Sequence, residues 1–94
     1  MVVGMCSIEL SMPGNRSLKD KRSILKSLMA RLRQKYNVSV AEVDSNEAWQ
    51  RAVLGVACVS NDAGYAQGLL LAVVSAIEAD RLDAQVVDYH IELL

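Results

Sequence analysis

Ninety-four residues with 52% apolar side chains make one domain, and a chain this short has a thin margin of stability. Its two cysteines, Cys6 and Cys58, lie inside apolar runs, which excludes a disulfide scaffold. No leader pattern or bilayer-length apolar run occurs, so the expected setting is cytoplasmic, neither secreted nor membrane-spanning. The net charge of −1 conceals a division: residues 1–36 carry eight of the ten Lys and Arg against Glu9 and Asp20, a net of +6, while residues 37–94 carry Arg51 and Arg81 against nine acids, a net of −7.

Residues Val2 to Met12 alternate as a strand, with Val2, Gly4, Cys6, Ile8, Leu10 and Met12 on one side and Val3, Met5, Ser7, Glu9 and Ser11 on the other. Pro13-Gly14-Asn15 marks a turn, and Ser17 followed by Asp20 is a shortened capping box that opens a helix. The helix runs to about Tyr36, with Leu18, Leu25, Leu28, Met29, Leu32 and Tyr36 in one apolar stripe and Asn37 as the stop. Val38 to Val43 returns to period two as a second strand, and Asp44 to Gln50 reads as a loop or a single helical turn.

Ala52 to Val59 is apolar on both sides, a strand covered on both faces. Asn61-Asp62 caps a second helix carrying Ala66, Leu69, Leu70, Val73, Val74 and Ile77 at helical spacing. A turn near Leu82-Asp83 leads into a last strand, Ala84 to Leu94, in which Val87, Tyr89, Ile91 and Leu93 alternate with Asp88, His90 and Glu92.

Two βαβ halves in this order imply a ferredoxin-like α+β sandwich: an antiparallel four-stranded sheet with both helices on one face, occupying residues 1–94 as a single domain. The sheet's other face would then carry Val3 and Met5 with Ser7, Glu9 and His90, joined by either Val56 or Ala57 with Val59. Such a face is too apolar for free solvation, so a second molecule or a partner is expected to cover it. The aliphatic core, with Trp49, Tyr36, Tyr65 and Tyr89 as its only aromatics, also favours a homo-oligomer, a dimer.

The first helix concentrates the positive charge. At 100° per residue with Leu18 at 0°, Arg22, Arg33, Lys26 and Lys19 fall at about 40°, 60°, 80° and 100°, a cationic flank beside the apolar stripe. Lys21, Lys35 and Arg31 fall on the other flank, and small neutral residues separate the two. A solvated face normally mixes both signs. A row of cations instead suits phosphate contact with release of counterions, against the alternative that it meets the acidic half of a neighbouring molecule. The third strand has no aromatic, which argues against base stacking on the sheet in the manner of an RRM and leaves contact with a structured RNA backbone. The candidate nucleic-acid-binding residues are Lys19, Arg22, Lys26 and Arg33, with Arg51 joining them.

Trp49, beside Arg51, is read as a ring folded back over the edge of a thin core, with base stacking or a cation–π pair as the alternative. His90 with Glu9, Asp88 and Glu92 is read as a solvated face, since no second histidine or paired cysteine supports a metal. Walker loops, dinucleotide fingerprints and nucleophile elbows are absent, so the expectation is a protein that is not an enzyme and takes no cofactor.

Ser17-Leu18-Lys19-Asp20-Lys21-Arg22, the run Arg33 to Val43, and Asn46-Glu47-Ala48-Trp49-Gln50-Arg51-Ala52 through Gly55-Val56-Ala57 together resemble the YlxP-like bacterial family, a domain of unknown function. The resemblance covers nearly the whole chain and implies a ferredoxin-like fold, a small cytosolic protein and no catalytic residues. Genes of that family sit, in some bacteria, among genes for translation initiation and ribosome maturation, which implies an RNA- or ribosome-associated role. The leading expectation is a non-enzymatic RNA- or ribosome-associated accessory factor. Its alternatives are a small-molecule-binding regulatory domain, with the Gly14-Asn15 turn presenting N–H groups to an anion, and a dimeric protein-interaction module docking through the sheet.

Overall fold

The computed structural model describes residues 1–45, 47–80 and 83–94. The elements follow in the order β1 (Val2–Ser11), α1 (Leu18–Lys35), β2 (Ser39–Asp44), β3 (Arg51–Ser60), α2 (Ala63–Ala79) and β4 (Gln85–Leu93). All strand pairs are antiparallel and the sheet order is β2-β3-β1-β4, the ferredoxin-like arrangement. The expected turn near Leu82-Asp83 involves Leu82, which lies outside the described residues.

Period-two alternation in β1 buries Gly4, Cys6, Ile8 and Leu10 and leaves Met5 and Ser7 exposed. The ambiguity in β3 resolves through its register with β1. Cys6 opposes Val56 and Met5 opposes Ala57, so Leu54, Val56 and Cys58 enter the core while Ala57 and Val59 lie on the open face. Both helices close over the buried side of the sheet, and Leu25, Leu28 and Leu32 of α1 join Ala66, Leu70, Val73, Val74 and Ile77 of α2 in one core. Each fully buried Leu or Ile side chain contributes about 1.5–3 kcal/mol relative to exposure. Gly4 permits the close approach of α2: a Cβ there would lie 3.0 Å from Leu70 Cδ1 and 3.1 Å from Cys58 Sγ.

Both helices start as their sequences foretell. Ser17 Oγ accepts from Asp20 N–H at 3.1 Å, and Asp62 Oδ2 accepts from Tyr65 N–H at 2.8 Å. The capping box at α1 is displaced by one residue, because the Asp20 carboxylate takes the N–H of Arg16 at 3.4 Å. The helix ends at Lys35, and the Tyr36 hydroxyl reaches Ala72 O on α2 at 3.4 Å.

A register shift between Glu9 and Leu10 places Val86 opposite Leu10 and Asp88 opposite Glu9, so Val87 is the bulged residue and is 60% exposed. Beyond the bulge Tyr89, Ile91 and Leu93 lie on the helix side of the sheet, and Asp88, His90 and Glu92 on the open side.

Candidate functional site

Seven of the ten cations of the chain lie on α1, and they have separate fates. Lys21 is 1% exposed. Its ammonium donates to Ser45 O at 2.5 Å and Ala48 O at 2.8 Å, and lies 2.7 Å from Glu42 Oε2. Arg31 pairs with Asp80 at the end of α2. Arg33, though exposed, donates from Nη2 to Val40 O on β2 at 2.8 Å. Lys35 stands 5.5 Å from the centre of the Tyr36 ring.

Three cations are left on this helix. Lys19, Arg22 and Lys26 are exposed, and none forms an ion pair or side-chain hydrogen bond among the described residues. Their helical spacing places them on one side of α1, roughly a quarter turn or more from the buried centre of the helix. Arg16, in the turn before the helix, is exposed at the same end.

The five candidate residues are therefore not one cluster. Lys19, Arg22 and Lys26 stand together, and Arg33 continues their row while also holding the β2 backbone. Arg51 lies elsewhere: it follows the register of Ser11 and pairs with Glu9 on the open side of the sheet, opposite the helices.

Lys21, expected on a solvent-facing flank, is instead buried within the apolar stripe. At about −60° it falls between Leu28 and Leu32, inside the stripe rather than on its flank. The signal was therefore present in the spacing, because the buried residues Lys21, Leu25, Leu28 and Leu32 centre near −50°, not on Leu18. A lysine can occupy this position because its ammonium has two carbonyl acceptors and the Glu42 carboxylate as a counter-charge. Its acceptors come from the β2–β3 connection, where Ser45 adopts φ 64°.

That connection is also tied to the turn after β1. Asn15, 6% exposed, donates from Nδ2 to Trp49 O at 3.1 Å, and Gln50 Nε2 reaches Pro13 O and Asn15 O at 3.2 and 3.1 Å. Asn15 is thus a clasp between loops, and its backbone N–H, expected as an anion donor in one alternative, donates to Met12 O at 3.1 Å. Trp49 does not fold back over the core: its backbone is clasped, but the residue is 53% exposed.

His90 stands on the open face, 73% exposed, with Nε2 3.4 Å from Glu92 Oε1. Among the described residues no group of three His, Cys, Asp or Glu is placed to hold a metal ion. Cys6 and Cys58 are buried free thiols. Burial pushes the Cys6 thiol above its ordinary range, against a smaller downward pull from a hydrogen bond with the His90 backbone. A recess between the body of α1 and the C-terminal end of α2, lined by Ile24, Leu28, Arg31, Ile77 and Asp80, has a volume of about 180 Å³. Three more open recesses, beside Lys35 and Ala79, beside Asn37 and Val59, and beside Glu78 and Gln85, have volumes of about 330, 380 and 330 Å³, at the lower end of the usual ligand-pocket range of about 300–1,000 Å³. No helix among the described residues is long and apolar enough to cross a membrane.

Residues 3–91 match the family described as "Protein of unknown function (DUF503)". The chain is also similar to "Uncharacterized protein YlxP" of Bacillus subtilis (strain 168), with 32% identity over 78 residues, covering 83% of this chain and 85% of that protein. The extent of both matches, together with the βαββαβ order and the 2-3-1-4 sheet, establishes that the chain belongs to the DUF503 family.

Proposed function

We propose that this protein is a non-enzymatic, RNA- or ribosome-associated accessory factor that contacts the phosphate backbone of structured RNA through helix α1. The observation that carries this reading is the division of labour among the α1 cations. Lys21, Arg31, Arg33 and Lys35 each have a contact within the chain, whereas Lys19, Arg22 and Lys26 are exposed on one side with no acidic partner among the described residues. Unneutralised cations in a row repel one another and gain from a polyanion that displaces its own counterions.

The absence of aromatics from the open side of β3, where Val53, Gly55, Ala57 and Val59 stand, favours backbone contact over base reading. Arg51 has no part in this surface, since it lies across the sheet in an ion pair with Glu9. The test is a mobility-shift or filter-binding titration with structured RNA at rising salt, comparing the native chain with the variant in which Lys19, Arg22 and Lys26 are all Ala. Salt-sensitive binding that the triple variant loses supports the reading. No binding at low salt, or binding unchanged in the variant, overturns it.

A further inference from the structure

We infer that the outer edge of β4 pairs with the same edge of a second copy, joining two sheets through an antiparallel β4–β4 ladder about a two-fold axis at Ile91. This inference is independent of the RNA reading. It starts from the backbone. Val3 and Leu94 exchange both their hydrogen bonds, Val3 N–H to Leu94 O at 3.0 Å and Leu94 N–H to Val3 O at 2.8 Å. In an antiparallel ladder such pairs recur at every second residue. Glu92, His90 and Asp88 therefore bond to β1, opposite Met5, Ser7 and Glu9. The N–H and C=O groups of Tyr89, Ile91 and Leu93 consequently point away from the sheet. Among the described residues, the Tyr89 N–H alone has a partner there, the neighbouring Asp88 Oδ1 at 2.9 Å.

The opposite edge is closed to such pairing. Strand β2 has six residues, is broken by a register shift between Glu42 and Asp44, and has the Val40 carbonyl occupied by Arg33. Among the described residues the β4 edge has no comparable cover over residues 89–93, and it carries apolar side chains: Tyr89 is 44% exposed and Leu93 is 38% exposed. An uncovered edge of this kind is a template for another strand.

The facing side chains select a second copy and its register. With the axis at Ile91, Tyr89 opposes the partner's Leu93, and His90 opposes the partner's Glu92, twice by symmetry. Shifting the axis to His90 would set His90 against itself and Asp88 against Glu92, two acids face to face. Shifting it to Tyr89 would draw the bulged Val87 into the ladder. The Ile91 register alone combines opposite partners with regular strand.

Sedimentation equilibrium of the full chain tests this. The native protein is expected at twice the 10.3 kDa chain mass at high concentration. Glu92→Lys, which removes the carboxylate acceptor facing His90, is expected to weaken dimerisation by about tenfold or more. The exchange His90→Glu with Glu92→Lys sets opposite charges against each other across the axis and should restore the dimer, while Val59→Glu on the open face leaves it intact. A native chain that stays at 10.3 kDa at millimolar concentration overturns the inference, as does a dimer lost in Val59→Glu but kept in Glu92→Lys. Should a variant fail to fold, amide exchange in the native chain decides. Protection of Tyr89, Ile91 and Leu93 that rises with protein concentration supports the ladder, and exchange independent of concentration refutes it.

Discussion

Lys21 Nζ lies 2.7 Å from Glu42 Oε2, and the two residues join the inner face of α1 to the edge strand β2. The same ammonium holds Ser45 O and Ala48 O, so one side chain sets the course of the β2–β3 connection. Removing it would leave two carbonyls without their donor and the Glu42 carboxylate without its counter-charge. Lys21→Ala is accordingly expected to cost about 3 kcal/mol of unfolding free energy in urea titrations. The double variant Lys21→Met with Glu42→Gln should lose less than the sum of its single changes, since it removes both charges together.

Lys19, Arg22 and Lys26 make the opposite prediction for stability. Each change to Ala should alter unfolding free energy by less than about 0.5 kcal/mol, since none has a partner to lose. Each should nonetheless flatten the dependence of log binding constant on log salt by about 0.7–0.9 if it contacts one phosphate. Arg51→Ala should leave the RNA titration unchanged, being paired with Glu9 on the far side of the sheet.

Gly4 lies where α2 meets the sheet. The added methyl of Gly4→Ala would stand 3.0 Å from Leu70 Cδ1, 3.1 Å from Cys58 Sγ and 3.5 Å from Ala66 Cβ. All three neighbours are buried, so they can yield only by displacing the helix or one another. A loss of about 1–3 kcal/mol is expected from thermal or urea unfolding.

Cys6 supplies a pH dependence. Burial favours its neutral thiol in the folded chain, so the folded pKa stands above the ordinary value of 9.0. The corresponding stability is fully present below that value and declines as pH rises from there through the folded pKa. Urea unfolding of the native chain against Cys6→Ala should show the gap between them narrowing from pH 9 upward. Native Cys6 should also resist alkylation that proceeds readily in denaturant. Rapid labelling of the folded protein would contradict the buried placement.

The fold was legible because the contrast between apolar and polar positions is strong in β1 and α1. Alternation from Val2 to Ser11 identifies the buried side of β1, and Ser17 and Asp62 sit at the two helix starts. In β3 the contrast fails: Val56, Ala57 and Val59 are all apolar, and pairing with β1 is needed to assign their sides. Trp49 illustrates a different limit. A lone aromatic in a polar connection reads first as a core lid, and the clasps from Asn15 and Lys21 to neighbouring carbonyls instead leave it exposed.

The basic helix was legible as a charge pattern but not as a surface. Sequence alone determined the element order, the antiparallel α+β class and the crowding of cations onto α1, because these follow from local periodicity and composition. Tertiary structure decided which cations remain available. Lys21 is drawn inward by Glu42 and two loop carbonyls, Arg33 reaches a strand edge, and Arg51 is carried to the opposite face. A lysine's partners lie far along the chain, so its burial depends on the desolvation cost being met by oxygens that only the folded topology brings together.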